Sequence, residues 1–264
     1  MTDPAATAAS LPPLRTGTTP ACKVCGGATR LFGAKDFNRS CEDGNGLRLP
    51  PRGVMVDYHR CGRCGLIFTD AFDDWTAEDF ATHVYGDGYA QVDPQFEAVR
   101  PVNMAAFVIE YFAHARDWRI LDYGGGNGRF AEELRRAGFT DVTTYDRFNA
   151  PFQTRPDGRF NLVTCFETLE HMPDPQGGAA DIADLVTRKG VILTATLIQP
   201  RDIEQIGVEW WYIGPRNGHV SLHTRASMRA MWARQKLQFL SYSDNVHLAG
   251  REPPAMLGRA RPVG

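Results

Sequence analysis

The stretch ILDYGGGNGRFAEELRRAGF, residues 120–139, decides the fold of this chain. An apolar run ends at Asp122, four glycines follow within residues 124–128, and a segment with apolar residues at helical spacing comes next. This order predicts a strand, a tight turn that lets a ligand approach the backbone, and a helix. Turns of this kind hold nucleotide-like ligands in parallel α/β sheets.

Strands and helices alternate on both sides of this turn. The pattern predicts an α/β fold with a doubly wound, Rossmann-like, mostly parallel sheet, in which ligands bind at the carboxyl ends of the strands. The predicted strands are RILDY (119–123), VTTYD (142–146), FNLVTCF (160–166), GVILTATL (190–197), LQFLSYS (237–243) and NVHLA (245–249), and the predicted helices cover 101–116, 128–137, a segment with Ile182, Leu185 and Val186, and a segment from Thr224 to about 235.

Four of the six cysteines form two CxxC pairs, CKVCGG and CGRCGL. Each pair can point two thiolates at one ion, and two pairs complete a tetrahedral Zn²⁺ site with no open position for water. We therefore predict a structural zinc site with the ligands Cys22, Cys25, Cys61 and Cys64. The predicted division of the chain is a flexible tail (1–20), a zinc-binding module (21–69), a linker (70–100), the large domain (101–250) and a second flexible tail (251–264).

Composition and charge narrow the class of protein. The formal net charge of -2 over 264 residues does not indicate the positive charge that nucleic-acid-binding proteins usually carry. Basic residues nevertheless outnumber acidic ones in residues 26–64. No apolar run approaches the ~20 residues that span a bilayer, which predicts no membrane association. The N-terminal residues lack the pattern of a signal peptide, so we expect a cytoplasmic protein.

The glycine turn has three interpretations. A P-loop would need a Gly-Lys-Ser/Thr ending, whereas Arg129 follows the last glycine. A dinucleotide site remains open, because Gly126, Gly128 and Ala131 satisfy G-x-G-x-x-A. The acid Asp122 would sit poorly against a pyrophosphate and suits an ammonium group, which favours S-adenosylmethionine (SAM), a ligand without phosphate.

These segments together resemble the class I SAM-dependent methyltransferases over residues 101–245. The resemblance is carried by ILDYGGGNG, by the acid Asp146 after the second strand, by FNLVTCFETLEHMPDP and by GHVSLHTRASM. It implies that Gly124, Gly126 and Gly128 approach the methionine part of SAM, Asp122 its amino end and Asp146 its ribose, with Phe166 and Glu167 beside the donor.

One segment departs from the family pattern. Residues 147–159 are too few for the helix, strand and helix that the family has before its fourth strand. The adenine-binding segment is therefore shortened or missing. Phe148, two residues after Asp146, is the candidate to pack against the adenine, with a structural role as the alternative.

The catalytic candidates follow the strands that end at the same edge. Glu170 and His171 come after FNLVTCF, and His219 lies in a glycine-rich loop after the next strand. A histidine is the natural base for an acceptor hydroxyl or an acidic C–H, and His219 is the leading candidate. The loop EWWYIGPRNGH (209–219) could line a sugar site with its aromatic, arginine and asparagine side chains, or its tryptophans could serve core packing.

These residues predict a SAM-dependent methyltransferase that acts on a small-molecule or sugar/glycan-type acceptor. The double CxxC module before this fold resembles the zinc-binding sugar C-methyltransferases. Two alternatives stay open: an RNA methyltransferase that grips nucleic acid with its zinc module, and a non-catalytic SAM-binding scaffold.

Overall fold

The computed structural model describes residues 10–86 and 88–252. The predicted tails, 1–20 and 251–264, therefore lie partly outside the described residues. The strands are β1 (Thr29–Asp36), β2 (Met55–Cys61), β3 (Ile67–Phe68), β4 (Arg119–Tyr123), β5 (Asp141–Tyr145), β6 (Phe160–Phe166), β7 (Val186–Ala195), β8 (Ser221–Leu222), β9 (Gln238–Ser241) and β10 (Val246–Gly250), and the helices are α1 (Ala77–His83), α2 (Tyr89–Val92), α3 (Arg100–Tyr111), α4 (Arg129–Arg136), α5 (Pro175–Leu185), α6 (Ile203–Ile206) and α7 (Arg225–Arg234).

The larger sheet of the described residues has six strands in the order β5-β4-β6-β7-β10-β9. The pairs β4–β5, β4–β6 and β6–β7 are parallel, while β10 runs antiparallel to both of its neighbours. This architecture confirms the predicted α/β class with a mostly parallel sheet. The last strand does not end at the edge of the sheet, because β10 lies between β7 and β9 and forms a ladder with each of them.

The strand, turn and helix of the opening stretch form as the sequence predicts. Ile120 packs into the apolar cluster on the side of α3 and α4, and Leu121 packs into the cluster on the opposite side with α5 and α7. A parallel strand covered on both faces needs such a continuous apolar run. Helix α4 starts immediately after Gly128, whose φ of 79° turns the chain out of the loop.

The shortened segment is visible at the open edge of the sheet. Between β5 and β6 the chain forms only a 3-10 turn, Ala150–Phe152, so β5 has no outer neighbour among the described strands. Arg155, in this connection, forms ion pairs with Asp181 and Asp184 of α5. These contacts hold the connection against the helix that flanks the edge.

The second sheet joins the cysteine module to the rest of the molecule. In the described part of the chain it has four strands in the order β1-β2-β3-β8, and β8 comes from far along the sequence. Ile67 of β3 pairs with Leu222 of β8, and both side chains are buried. The predicted module and the large domain thus share a sheet.

Residues 70–100, predicted as a linker, carry α1 and α2 and an aromatic cluster. Trp75 contacts both Phe72 and Phe80, with ring centroids 4.8 and 5.4 Å apart. Before this segment, Arg15 of the predicted N-terminal tail forms an ion pair with Asp74. No helix among the described residues has the length and apolar character to cross a membrane.

Candidate active site

A cavity of about 920 Å³ opens at the carboxyl ends of the parallel strands. Nine of the predicted site residues line it, whereas Gly128 and Glu170 lie outside its wall. The nine are Asp122, Gly124, Gly126, Asp146, Phe148, Phe166, Glu167, His171 and His219. The fold therefore brings seven of the eight predicted donor-binding residues and two of the three predicted catalytic residues to one cavity.

The glycine turn forms one wall of this cavity, and each of its glycines has a different reason to lack a side chain. A Cβ on Gly124 would lie 2.4 Å from Thr168 Oγ1, and one on Gly128 would lie 2.9 Å from the Phe152 ring. A Cβ on Gly126 would meet no atom within 4 Å, although its φ of 53° still disfavours other residues. Gly126 therefore faces open space, where a ligand can approach the backbone.

Asp146 connects the end of β5 to the glycine turn. Its Oδ2 accepts a hydrogen bond from the Gly126 amide at 2.9 Å, and its Oδ1 accepts one from the Phe148 amide at 2.8 Å. Each carboxylate oxygen keeps further acceptor capacity toward the cavity. Asp146 can therefore hold a diol while it fixes the shape of the turn.

Asp122 lies at the bottom of the same wall. It is almost fully buried, and burial, with a smaller contribution from the Asp146 charge, raises its pKa to about 7. Its Oδ1 lies 3.4 Å from Thr164 Oγ1, and its Oδ2 has no hydrogen-bond partner among the described residues. A buried carboxylate oxygen of this kind is suited to a cationic donor such as an ammonium group.

The predicted aromatic neighbours of the donor occupy different places. Phe148 is partly exposed, and its ring packs 4.9 Å from that of Tyr85. Phe166 packs edge-on against Phe130 of α4, at 5.4 Å, and presents its remaining surface to the cavity. The Phe152 ring, which the sequence analysis did not identify, covers Gly128.

Glu167 adopts an unusual backbone conformation beside the donor wall. Its φ is 47°, a left-handed value that costs a non-glycine residue ~1–3 kcal/mol and is found mainly at functional sites. Burial, and next the Glu170 charge, raises the pKa of Glu167 to about 8. Arg100 Nη1 lies 3.9 Å from Glu167 Oε2, and Arg100 also forms an ion pair with Asp93.

Arg100 is a site residue that sequence reasoning missed. It begins α3, and from the sequence alone it is an ordinary polar residue at the start of an amphipathic helix. Its partners, Asp93 and Glu167, lie on other elements and become neighbours only when the chain folds.

Glu170, His171 and His219 form a compact group at the back of the cavity, which we call the His–Glu cluster. One side-chain ligand atom of each residue lies within 4.8 Å of those of the other two. Glu170 is fully buried and its Oε1 accepts a hydrogen bond from the Tyr212 hydroxyl at 2.6 Å. The His171 and His219 rings are nearly perpendicular, with centroids 4.8 Å apart.

Both histidines of the cluster are neutral imidazoles in the folded protein. Burial, followed by the charge of His171, lowers the pKa of His219 to about 3, and burial, followed by Arg100, lowers that of His171 to about 4. His219 Nδ1 donates to the Tyr212 carbonyl oxygen at 2.7 Å. This bond fixes the tautomer, so the lone pair of His219 is on Nε2.

An aromatic wall also lines the cavity. Its rings come from the segment predicted as a linker and join the donor wall to the His–Glu cluster, since Tyr85 packs on Phe148 and its hydroxyl lies 3.2 Å from His171 Nδ1. The rings of this segment that line the cavity belong to Trp75, Phe80, Tyr85, Tyr89 and Phe96. In the sequence these residues are aromatic side chains of a predicted linker, and only the folded structure shows which surface they line.

The loop at 209–219 contributes fewer side chains to the cavity than its aromatic, arginine and asparagine residues predicted. Trp210 is buried and Trp211 is 55% exposed, and neither lines the cavity. Asn217 has a structural role, because its side chain accepts a hydrogen bond from the Cys41 amide and donates one to the Val92 carbonyl. His219 is the residue of this loop that reaches the cavity.

The four predicted zinc ligands come together away from the cavity. Cys22 Sγ lies 3.6 Å from Cys64 Sγ, and Cys25 Sγ lies 3.5 Å from Cys61 Sγ. These distances are far too long for the ~2.05 Å bond of a disulfide. They are close to the ~3.8 Å between sulfurs that ~2.3 Å bonds to a tetrahedral Zn²⁺ imply. The donor set therefore fits structural zinc.

The second CxxC pair, Cys61 and Cys64, also shows hydrogen bonds of the kind that stabilise metal-bound thiolates. The amides of Arg63 and Cys64 donate to Cys61 Sγ at 3.3 and 3.4 Å. Amide donors of this kind orient the sulfurs and lower the free energy of the thiolate form.

Comparisons with known proteins agree with the geometry. Residues 96–242 match the family described as "Methyltransferase domain". A ubiquinone biosynthesis O-methyltransferase of Alkalilimnicola ehrlichii is 30% identical over 134 residues, 40% of this chain and 53% of that protein. The protein of the same name from Escherichia coli is 32% identical over 103 residues, 30% of this chain and 42% of that protein. The chain thus spans about half the length of the curated relatives it matches.

A solved structure of an O-methyltransferase family protein from Burkholderia thailandensis is also similar. Its TM-score is 0.48 at 15% identity, over 65% of this chain and 62% of that chain. The magnesium protoporphyrin IX methyltransferase of Synechocystis, solved with bound SAH, has a TM-score of 0.46 at 15% identity, over 69% and 97% of the two chains.

Proposed function

The chain belongs to the methyltransferase-domain family, and on this premise we propose that it transfers a methyl group from SAM to a hydroxyl group of a small, planar acceptor. The observation that carries the proposal is the single cavity that joins the glycine turn and two acids to the His–Glu cluster. At about 920 Å³ it is near the upper end of the ~300–1,000 Å³ typical of small-molecule sites, which leaves room for a donor and an acceptor.

The donor end fits SAM by its charges and its open backbone. SAM, when bound, supplies a methyl group on a positively charged sulfur. The unpartnered Oδ2 of Asp122 suits the ammonium group of the donor, and the two oxygens of Asp146 suit its ribose diol. Gly126 leaves free space at the turn. A pyrophosphate would bring negative charge to these two acids, which disfavours a dinucleotide.

The acceptor end is lined by several aromatic rings. The rings of Tyr85, Tyr89 and Phe96 line the cavity beside His171, and aromatic side chains of this kind stack on planar groups. The polar groups that line the cavity here include His171, His219, Glu167 and Arg100, and they would contact a hydroxyl at the edge of the acceptor. A small acceptor with a hydroxyl on a planar ring matches these features better than a polyanion does.

The chemical work of the protein is to align the acceptor oxygen with the methyl group and to help remove the hydroxyl proton. The oxygen forms a bond to the methyl carbon, the carbon–sulfur bond breaks, and the proton leaves the hydroxyl. His219 is the residue that can take the hydroxyl proton. Its Nδ1 donates a hydrogen bond to the Tyr212 carbonyl, and the lone pair on Nε2 therefore stays available to accept a proton. Arg100 holds Glu167 at the donor wall, where it can limit where the acceptor lies.

The test combines SAM calorimetry with an acceptor screen that uses methyl-labelled SAM and a panel of hydroxylated aromatic compounds, nucleotide sugars and total RNA. We expect a micromolar-scale dissociation constant for SAM and labelled product among the hydroxylated aromatic compounds. We also expect His219→Gln to preserve SAM affinity and to lower the turnover by about 10²-fold, the contribution typical of such a group. Binding of NADH in place of SAM would refute the donor, and an unchanged rate in His219→Gln would refute the role of this residue.

A further inference from the structure

The His–Glu cluster has the composition of a metal site as well as that of a catalytic site. It offers two imidazole nitrogens and one carboxylate oxygen, with ligand atoms that lie within 4.8 Å of one another. Ligands of a tetrahedral ion with bonds of ~2.1 Å lie ~3.4 Å apart, so ligand atoms at the 4.8 Å limit need to approach one another by ~1.4 Å. The set shares no residue with the four cysteines, which form a separate group of ligands.

The buried carboxylate of Glu170 points to a missing partner. Its Oε1 is bonded by the Tyr212 hydroxyl, but its Oε2 has no hydrogen-bond partner among the described residues although the residue is fully buried. Within that part of the chain no lysine or arginine forms an ion pair with Glu170. An unpartnered buried carboxylate oxygen is costly, and a cation bound there would remove the cost.

Tyr212 orients two members of the cluster at once. Its hydroxyl donates to Glu170 Oε1 at 2.6 Å, and its carbonyl accepts from His219 Nδ1 at 2.7 Å. The second bond leaves Nε2 of His219 as the coordinating nitrogen. Metal-ligating histidines almost always donate their other ring N–H to a carbonyl or carboxylate in this way. Tyr212 is thus a positioning residue for both ligands.

The charges around the cluster also favour a cation. Glu167 lines the cavity, whereas Glu170 is buried outside its wall, and the guanidinium of Arg100 is shared between Glu167 and Asp93. Arg100 therefore balances two carboxylates, and Glu170 has no ion pair with a lysine or arginine among the described residues. A divalent ion would balance the excess of negative charge.

We propose that Glu170, His171 and His219 bind one divalent transition-metal ion, with coordination positions left open toward the cavity. Two histidines and one carboxylate are a ligand set that suits Zn²⁺, Fe²⁺ or Co²⁺ and leaves room for an exogenous oxygen. The role of the ion rests on the proposed function and replaces the direct base role of His219, whose Nε2 lone pair then binds the ion: the acceptor hydroxyl would coordinate the ion, lose its proton to solvent, and attack the methyl carbon as an oxyanion while the carbon–sulfur bond breaks. The binding of the ion does not depend on that role.

The experiment is a Co²⁺ titration of the full-length protein after its cysteine site has been filled with Zn²⁺. Calorimetry and visible absorption are recorded together, because cobalt on nitrogen and oxygen ligands lacks the intense thiolate charge-transfer bands of a cysteine site. We expect one equivalent of Co²⁺ with weak visible bands. Glu170→Gln and His219→Gln should weaken its affinity by more than ~10-fold, whereas His114→Gln, an exposed histidine after α3, should leave it unchanged.

Tyr212→Phe provides a milder variant in case the first two variants do not fold. It removes the hydroxyl bond to Glu170 and keeps the carbonyl bond to His219, and we expect a loss of ~10-fold in Co²⁺ affinity. A folded wild type that binds no Co²⁺ beyond the cysteine site, or variants with unchanged affinity, would overturn the metal site. SAM affinity is measured on the same samples. SAM binding without the extra Co²⁺ refutes only the metal site, and Co²⁺ binding without SAM supports the metal site and refutes the proposed donor.

Discussion

At the scale of single residues, Asp146 has two functions in one carboxylate. It accepts hydrogen bonds from the backbone amides of Gly126 and Phe148 and so fixes the conformation of the turn. Its two oxygens can still accept further hydrogen bonds from a ligand in the cavity. Asp122 differs, because it is buried and has an oxygen without a partner among the described residues. The two acids look equivalent in the sequence, but Asp146 accepts hydrogen bonds that shape the turn, whereas Asp122 is a buried acid with an oxygen free to meet a cationic ligand.

Asp146→Asn tests the proposed ribose contact. The amide has one acceptor oxygen instead of two and no charge, so a charge-assisted hydrogen bond worth ~1.5–3 kcal/mol is lost. We expect the dissociation constant for SAM, measured by calorimetry, to rise by about 10–100-fold. The control is Asp141→Asn at the opposite end of β5, which removes an exposed ion pair with Arg119 and should not change SAM binding. Equal affinities for both variants and the wild type would contradict the assignment.

At the scale of elements, the glycine turn combines packing with ligand access. Gly124 lacks room for a Cβ because Thr168 fills the space, and the Thr168 hydroxyl is held by a 2.8 Å bond to the Phe166 carbonyl. Gly126 has space beside it but a left-handed φ. The two positions therefore predict different consequences for the same substitution.

The pair Gly124→Ala and Gly126→Ala tests this difference. Both variants lose ~1 kcal/mol for the left-handed backbone, and Gly124→Ala additionally clashes with Thr168, which adds ~1–3 kcal/mol. We expect urea denaturation to show the larger loss of unfolding free energy in Gly124→Ala. Gly126→Ala should stay folded and bind SAM more weakly, because its methyl group occupies the cavity. Equal stabilities would show that Thr168 moves aside freely.

At the scale of the whole molecule, the cysteine site is part of the main core. Three of the four cysteines belong to the same apolar cluster as residues of β6, β7, α5 and α7. The Thr224 hydroxyl, which caps α7, bonds the Cys64 carbonyl at 2.6 Å, and the Gln176 side chain of α5 bonds the Val24 carbonyl at 2.8 Å. Loss of the metal should thus affect the entire fold.

Chelation of the cysteine-bound metal tests this coupling. We expect a single unfolding transition in calorimetry, shifted down by at least about 10 °C, because ~5 kcal/mol lost from a domain of this size corresponds to such a shift. Cys61→Ser should bind no zinc in elemental analysis, and Cys41→Ser, whose thiol lies outside the set, should keep one equivalent. A separate low-temperature transition, with the main one unchanged, would mean that the module folds independently.

The sequence by itself determined the α/β fold, because the apolar runs, the glycine turn and Thr224 at the start of α7 are local signals of 5 to 15 residues. It also located the acids, the histidines and the cysteines, since their chemistry depends on residue type and on their place after a strand. The shortened connection after β5 could be counted directly from the residues.

Only the tertiary structure decided which of these residues meet. The Arg100 pair with Glu167, the Tyr212 bond to Glu170 and the contacts of Tyr85 with Phe148 and His171 join residues far apart in the chain. The position of β10 inside the sheet and the pairing of β3 with β8 are equally non-local. Such contacts leave no periodic trace in one sequence, because they depend on how packed elements are placed and not on the residues beside them.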